Sequence, residues 1–229
     1  MSGKYILIAG FGLPMGEALA ERIISDGCIP LIVSRTESKL RDFVSKNDKS
    51  IYFGADLSTE AGIKSLGDFL RMKNIKISGM AILLGGYFTD RIDSPGDVVN
   101  LLKINVAAPM QLVSGLLDNM QGSCSVVLAS SFVTLVPKPN NPLSYTVSKY
   151  ALNGLVQNMA AELVSRNVRV NAVAISAIGG RKIKDNQFRL GDQNASADDI
   201  AEIMAFLLSE KSFLIDGAII PVDGGLWLR

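Results

Sequence analysis

The sequence predicts an α/β domain of the doubly wound kind, a parallel sheet with helices on both faces. Three observations predict it. Apolar runs of strand length alternate with amphipathic runs of helix length. Several strand-length runs are nearly continuous in Val, Ile, Leu and Ala, as strands buried on both faces require. The first run ends in a cluster of glycines that opens a helix, and such a turn suits a bound phosphate.

In chain order, the run 5–9 is the first strand, and helix 15–26 follows its glycine turn. Strand 29–34 leads to helix 38–46, and strand 50–54 to helix 58–72. Strand 80–84 precedes a long helix over 98–119. Strand 123–129 ends in two serines and leads to helix 144–166. Strand 168–174, helix 197–208 and strand 218–222 complete the pattern. No repeat, low-complexity tract or linker interrupts it, so 1–229 is read as one domain. The least regular stretch, "IGGRKIKDNQFRLGDQNAS", follows the sixth strand at the sheet edge where ligands bind in this architecture.

Composition excludes several chemistries. The chain has no histidine, which removes His-ligated metal sites, Ser-His-Asp hydrolysis and His general-base catalysis; no metal is expected. Its 23 basic and 22 acidic side chains nearly cancel, so neither nucleic acid nor an anionic membrane surface is an expected partner. Cys28 and Cys124 form no CxxC and read as small buried hydrophobes. The brief apolar run at the N-terminus lacks the features of a signal peptide. No stretch reaches the ~20 apolar residues that span a bilayer, so the expected location is cytoplasmic.

Two stretches carry chemistry. In "AGFGLPMGEALAER", residues 9–22, Gly10, Gly12 and Gly16 allow a tight turn and close approach of a pyrophosphate to the helix N-terminus. Pro14 removes one N–H from that turn. The loss is one phosphate hydrogen bond, about 1–3 kcal/mol if charge-assisted. In "NNPLSYTVSKYALNGL", Tyr145 and Lys149 are four residues apart on a helix and share a face. An ammonium beside a phenol favours the phenolate and tunes it for proton transfer to a carbonyl or alcohol oxygen. Read singly, the pair is also an ordinary surface Tyr/Lys pair.

The order of these features resembles the short-chain dehydrogenase/reductase family over essentially the whole chain. The features are the Gly10–Gly16 spacing, a strand ending in Ser130–Ser131, Tyr145-x-x-x-Lys149, "RVNAVA" and a terminal "VDGG". The resemblance implies a Rossmann-like domain with a seven-stranded parallel sheet in the order 3-2-1-4-5-6-7. That order separates Cys28 from Cys124 by three strand spacings, roughly 14 Å, too far for a disulfide. It implies reversible hydride transfer between NADP(H) and a carbonyl or secondary alcohol. Tyr145 would be the general acid/base, and Lys149 would lower its pKa and hold the nicotinamide ribose. Ser131 would bond the substrate oxygen, Ser130 being the lesser candidate. Asn105 would kink its helix and hold a relay water. Gly10, Gly12, Met15, Gly16, Arg35, Asp56, Leu57, Gly85, Gly86 and Ile178 join Tyr145 and Lys149 as implied cofactor contacts.

Arg35 stands at the end of the second strand where NAD enzymes of this kind place an acid, so NADP(H) is preferred and NAD(H) is the alternative. Asp56 would meet the adenine; its other reading, a helix cap, suits Ser58 better. Tyr87, Phe88, Phe132, Val133 and Leu143 are candidates for an apolar substrate pocket. Arg181, Lys182, Lys184 and Arg189 either meet an anionic substrate or solvate their loop. A 3-oxoacyl thioester, a small ketone and a sugar all fit. A homodimer or homotetramer built on the two long helices is implied, and the tail "GGLWLR" packs either there or under the sheet.

The sequence departs from the family at Pro14, at Leu83–Leu84 in place of two asparagines, at Ile175–Ser176 in place of Pro-Gly, and at Gly180 in place of a threonine. These departures favour a second reading, a non-catalytic NADP(H)-binding sensor or scaffold that kept the fold.

Overall fold

The computed structural model describes residues 3–228 except 13, 137, 139 and 180–193. Gly180, Arg181, Lys182, Lys184 and Arg189 lie outside the described residues, as does the side chain of Trp227 in the tail.

The strands and helices alternate: β1 (Tyr5–Ala9), α1 (Met15–Ser25), β2 (Ile29–Ser34), α2 (Glu37–Lys46), β3 (Ile51–Gly54), α3 (Glu60–Met72) and β4 (Ile77–Ile82). After β4 come α4 (Val98–Leu102), α5 (Ala108–Gly115), β5 (Met120–Ser131), α6 (Leu143–Leu163) and β6 (Val168–Ile175). The chain ends with β7 (Ala177–Ile178), β8 (Asn194–Ala195), α7 (Ala197–Leu208) and β9 (Ile219–Val222). The main sheet is parallel, in the order β3-β2-β1-β4-β5-β6-β9. These are the seven predicted strands in the predicted order; β7 and β8 form a separate small pair that periodicity did not reveal.

Alternation along the strands sorts the core into two layers. Leu7 and Ala9 of β1 join Leu66, Leu112 and Val156 from α3, α5 and α6 on one face. Ile6 and Ile8 join Leu19, Leu40 and Met204 from α1, α2 and α7 on the other. Cys28 and Cys124 are buried in these layers and share no disulfide, and burial pushes Cys124 up to about 12, which leaves it inert. Among the described residues no helix is long and apolar enough to cross a membrane.

Two local outcomes differ from expectation and bear on the site. The helix expected over 98–119 is broken by a π turn, Lys103–Ala107, between α4 and α5. Pro109 has no N–H to donate to the carbonyl of Asn105 four residues before it, so a regular helix cannot run through. The cap of α3 is Thr59, whose hydroxyl accepts from Gly62 N at 3.1 Å, and not Ser58; the Ser58 amide and hydroxyl are held by Asp56 at 3.0 and 2.6 Å. As expected, β5 ends on Ser130 and Ser131.

Parallel register brings Ala9, Val33, Ile82 and Leu128 level with one another near the carboxyl edge. Chain order reverses at β1, between β2 and β4, and this switch point opens a crevice at that edge.

Candidate functional site

The crevice has two halves. The first, about 400 Å³, lies over β1–β3 and is lined by Gly10, Ser34, Arg35, Asp56 and Leu57. The second, about 490 Å³, lies over β4–β6 and is lined by Tyr145, Lys149, Ser131 and Ile175–Ile178. Leu83, Leu84 and Gly85 border both halves and join them into one channel. The two leucines continue the strand's alternation: Leu84 packs on one core layer and Leu83 on the other. They carry the apolar layers to the channel floor at the position where asparagines were expected.

Gly10 is required at this turn. Its φ is +85°, and a Cβ there would lie 2.8 Å from the backbone N of Leu84. Pro14 is the N-cap of α1 and not its first helical residue; no side chain caps this end. The positive end of α1 therefore faces an anion with fewer donors: proline lacks one, and Gly16 N is given to Gly12 O at 2.8 Å. Gly12, Met15 and Gly16 belong to this turn and do not line the channel. Arg35 is 77% exposed and sits 3.9 Å from the Asp56 carboxylate. Hydrogen bonds from Ser58 hold Asp56 below the usual carboxylate range, and Arg35 adds to this.

In the second half, α6 presents Tyr145 and Lys149 on one face, as their spacing requires. Ser131 lines the same half-channel as Tyr145 and favours the ionised form of its phenol, and Ser131 Oγ accepts from Val133 N at 3.5 Å. Ser130 is engaged elsewhere: its hydroxyl donates to Asn153 at 2.6 Å, and Asn153 in turn donates to Thr134 at 3.0 Å. Thr134 closes the chain on the Ser131 carbonyl at 2.8 Å. Asn153, one turn beyond Lys149, thus anchors the strand end from behind. Only its spacing of eight from Tyr145 could have marked it in the sequence.

Lys149 is 4% exposed, and its ammonium donates to the Ala129 carbonyl at 2.8 Å. Burial pulls it down to about 8. Its Nζ lies 5.7 Å from the Tyr145 ring centre. The expectation that Lys149 holds the phenol below its ordinary value is corrected here: burial dominates and raises Tyr145, with Ser131 opposing it. The ring of Tyr87 meets that of Tyr145 edge-on, with centroids 4.9 Å apart.

Asn105 is buried in the π turn, and its side chain is committed. Oδ1 accepts from Gly86 N at 2.7 Å, and Nδ2 donates to Gly86 O at 3.1 Å and to Ser148 Oγ at 2.8 Å. A water held by Asn105 would therefore use its main-chain carbonyl, which Pro109 cannot serve. Gly85 and Gly86 lie in the channel beside it.

Of the substrate-side candidates, Tyr87, Phe132 and Val133 line the second half, as does Ile178. Leu143 does not: it begins α6, 39% exposed, and its amide points to the Asp90 carbonyl. Phe88 is also outside the lining; its ring packs over Gly96. Ser176 was read only as a departure, but it lines the channel, and its buried hydroxyl has no partner among the described residues. The residues fit a nicotinamide dinucleotide: a glycine-dependent turn, a helix start facing it, a guanidinium at the far end, and, in the half-channel of Tyr145, the Ser176 hydroxyl with no partner among the described residues. Among the described residues no cluster is placed to hold a metal.

Comparison with known proteins agrees with this arrangement. Residues 13–227 match the family described as enoyl-(acyl carrier protein) reductase. Glucose 1-dehydrogenase of Gluconobacter oxydans (strain 621H) is 30% identical over 258 aligned positions, covering 99% of this chain and 93% of that protein. Dehydrogenase/reductase SDR family member 4 of Homo sapiens is 29% identical, covering 98% and 88%. Among solved structures, a short-chain dehydrogenase/reductase from Mycobacterium ulcerans superposes with a TM-score of 0.86 at 22% identity, covering 100% and 92%. One from Sinorhizobium meliloti 1021 superposes at 0.88 with 18% identity, covering 99% and 96%. The chain belongs to the short-chain dehydrogenase/reductase family, oxidoreductases that act on CH–OH and C=O groups with a nicotinamide dinucleotide.

Proposed function

We propose that the protein interconverts a carbonyl and a secondary alcohol with NADP(H), using Tyr145 as general acid/base. The observation that carries this reading is the meeting of Tyr145, Ser131 and Lys149 in the half-channel that continues from Arg35 and Asp56 over Gly85. The bound nicotinamide supplies or accepts the hydride. Everything else falls to the chain. Ser131 orients the substrate oxygen, and Tyr145 delivers the proton to it. With its pKa raised by burial, Tyr145 is a phenol at neutral pH, the form that donates a proton to the substrate oxygen in reduction. Oxidation needs the phenolate and gains rate as pH rises. The Lys149 ammonium stabilises that phenolate, and the N–H groups not given to Ala129 serve the ribose.

Arg35 reads the 2′-phosphate. Its exposed ion pair with Asp56 is worth about 0–1 kcal/mol, so it yields to a phosphate at little cost. Arg35→Ala is expected to weaken NADPH binding about tenfold or more and to leave NADH affinity within about twofold, read by fluorescence titration. Unchanged NADPH affinity would remove the NADP(H) preference.

The substrate side is apolar at Tyr87, Phe132, Val133, Ile175 and Ile178. Among the described lining residues Lys149 is the one charged side chain. An uncharged ketone with an apolar substituent suits this wall. Val99, Met110, Val147 and Tyr150 leave an apolar face on α4–α6 exposed, which suits a homodimer or homotetramer. Sedimentation would detect it, and a strictly monomeric protein at micromolar concentration would rule it out.

A further inference from the structure

The catalytic helix α6 begins without a cap of its own. Pro142 stands at its N-cap and offers no side-chain acceptor, so the first amides need an acceptor from elsewhere. Asp90, from the loop between β4 and α4, provides it from 54 residues away. Its two carboxylate oxygens accept from Ser144 N at 3.0 and 3.3 Å, and Oδ2 accepts from the Ser144 hydroxyl at 2.5 Å. Its main-chain carbonyl accepts from Leu143 N at 3.4 Å. Asp90 is 8% exposed, and Ser144 holds its carboxyl below the ordinary value, so an anion sits at the positive end of α6.

The same carboxylate holds its own loop in shape. Oδ2 accepts from Gly96 N at 3.0 Å. Gly96 has no room for a side chain, since a Cβ would fall 1.9 Å from the Phe88 ring. This loop also carries Tyr87, whose ring edge rests on Tyr145, the residue after Ser144. One carboxylate therefore joins the substrate-side loop to the helix start at the point where the proposed acid/base emerges.

We infer that Asp90 is a positioning residue of the reaction: it fastens the Tyr87 loop to the N-terminus of α6 and so sets the Tyr145 phenol against Ser131. The inference rests on the assignment of Tyr145 above. Two readouts on the full-length protein separate the two claims. Hydrogen exchange of the amides at 143–147 reports the cap without any turnover. Steady-state kinetics at saturating NADPH, with a ketone that the wild type reduces, report the positioning.

Asp90→Ala is expected to speed exchange at 143–147 about tenfold or more and to lower kcat about tenfold to a hundredfold, the effect of a small misplacement of a reacting group. NADPH affinity should stay within about twofold, because the phosphate half of the channel is untouched. Asp90→Asn keeps an acceptor oxygen for Ser144 N and should recover most of kcat. If Asp90→Ala does not fold, Ser144→Ala removes the hydroxyl bond alone and should lower kcat in the same direction, again with NADPH affinity preserved. Faster exchange with kcat within twofold of wild type would make Asp90 a structural cap only and overturn the inference. Unchanged exchange would overturn the cap itself. A Tyr145→Phe protein that keeps wild-type kcat would instead overturn the reading on which the inference rests, leaving the exchange result standing.

Discussion

Tyr145→Phe is expected to lower kcat by about 10²–10⁴-fold, the range a positioned proton donor contributes, while NADPH affinity changes by less than about twofold. The substitution removes one hydroxyl and keeps the ring that packs against Tyr87. The fold should therefore survive, and the loss should fall on the chemical step. Wild-type reduction should decline with rising pH as the phenol ionises, and oxidation should gain over the same range. Because burial raises the Tyr145 pKa, the phenol of the cofactor-free enzyme should ionise above the ordinary tyrosine value, read by the ultraviolet absorbance of the phenolate. A Tyr145→Phe protein that turns over at the wild-type rate would end the proposed mechanism, and loss of cofactor binding with it would assign Tyr145 to binding.

Lys149→Met is expected to do two opposite things. It should cost about 10²-fold in kcat, because the charge that favours the phenolate is lost. It should also stabilise the fold. In the native state burial pulls the ammonium down to about 8, whereas the unfolded chain titrates near 10.4, so folding opposes the charged form. That penalty is fully present below about pH 8 and disappears as pH rises through the unfolded value. After the lost hydrogen bond to Ala129 is set against it, the net gain at pH 7 is about 1–2 kcal/mol. Urea titrations at pH 7 and pH 10 should show the gain at the lower pH and little of it at the higher. A destabilised Lys149→Met protein at pH 7 would show that Lys149 holds the structure together as well as the chemistry. Stability given up at a functional position is common in enzymes.

Most of the architecture was legible because each signal was local. Continuous apolar runs marked the strands, and the glycine turn after β1 marked the channel. Tyr145 and Lys149 were legible through helical spacing. What was not legible depends on distant partners. Nothing near Asp90 in the sequence announces that it caps a helix 54 residues later. Asn153 reads as an ordinary helix polar residue until β5 places Ser130 against it. The π turn was hidden because "KINVAAPMQL" fits a helix by pattern, and only the missing N–H of Pro109 argues against one. Leu143 was misplaced as a pocket residue for a related reason: it begins α6 at the residue after Pro142 and faces outward. The direction of the Tyr145 shift was misread because spacing reveals the neighbouring charge but not the burial that outweighs it.

The central claim is that this channel holds NADP(H) despite Pro14 at its phosphate turn. Fluorescence titration of the purified protein with NADPH and, separately, with NADH tests it most directly. The account predicts NADPH binding at about micromolar Kd, roughly −8 kcal/mol, with NADH weaker by at least about tenfold. Failure to bind either dinucleotide would contradict it, reducing the glycine turn to a feature of the fold and taking the proposed reaction with it.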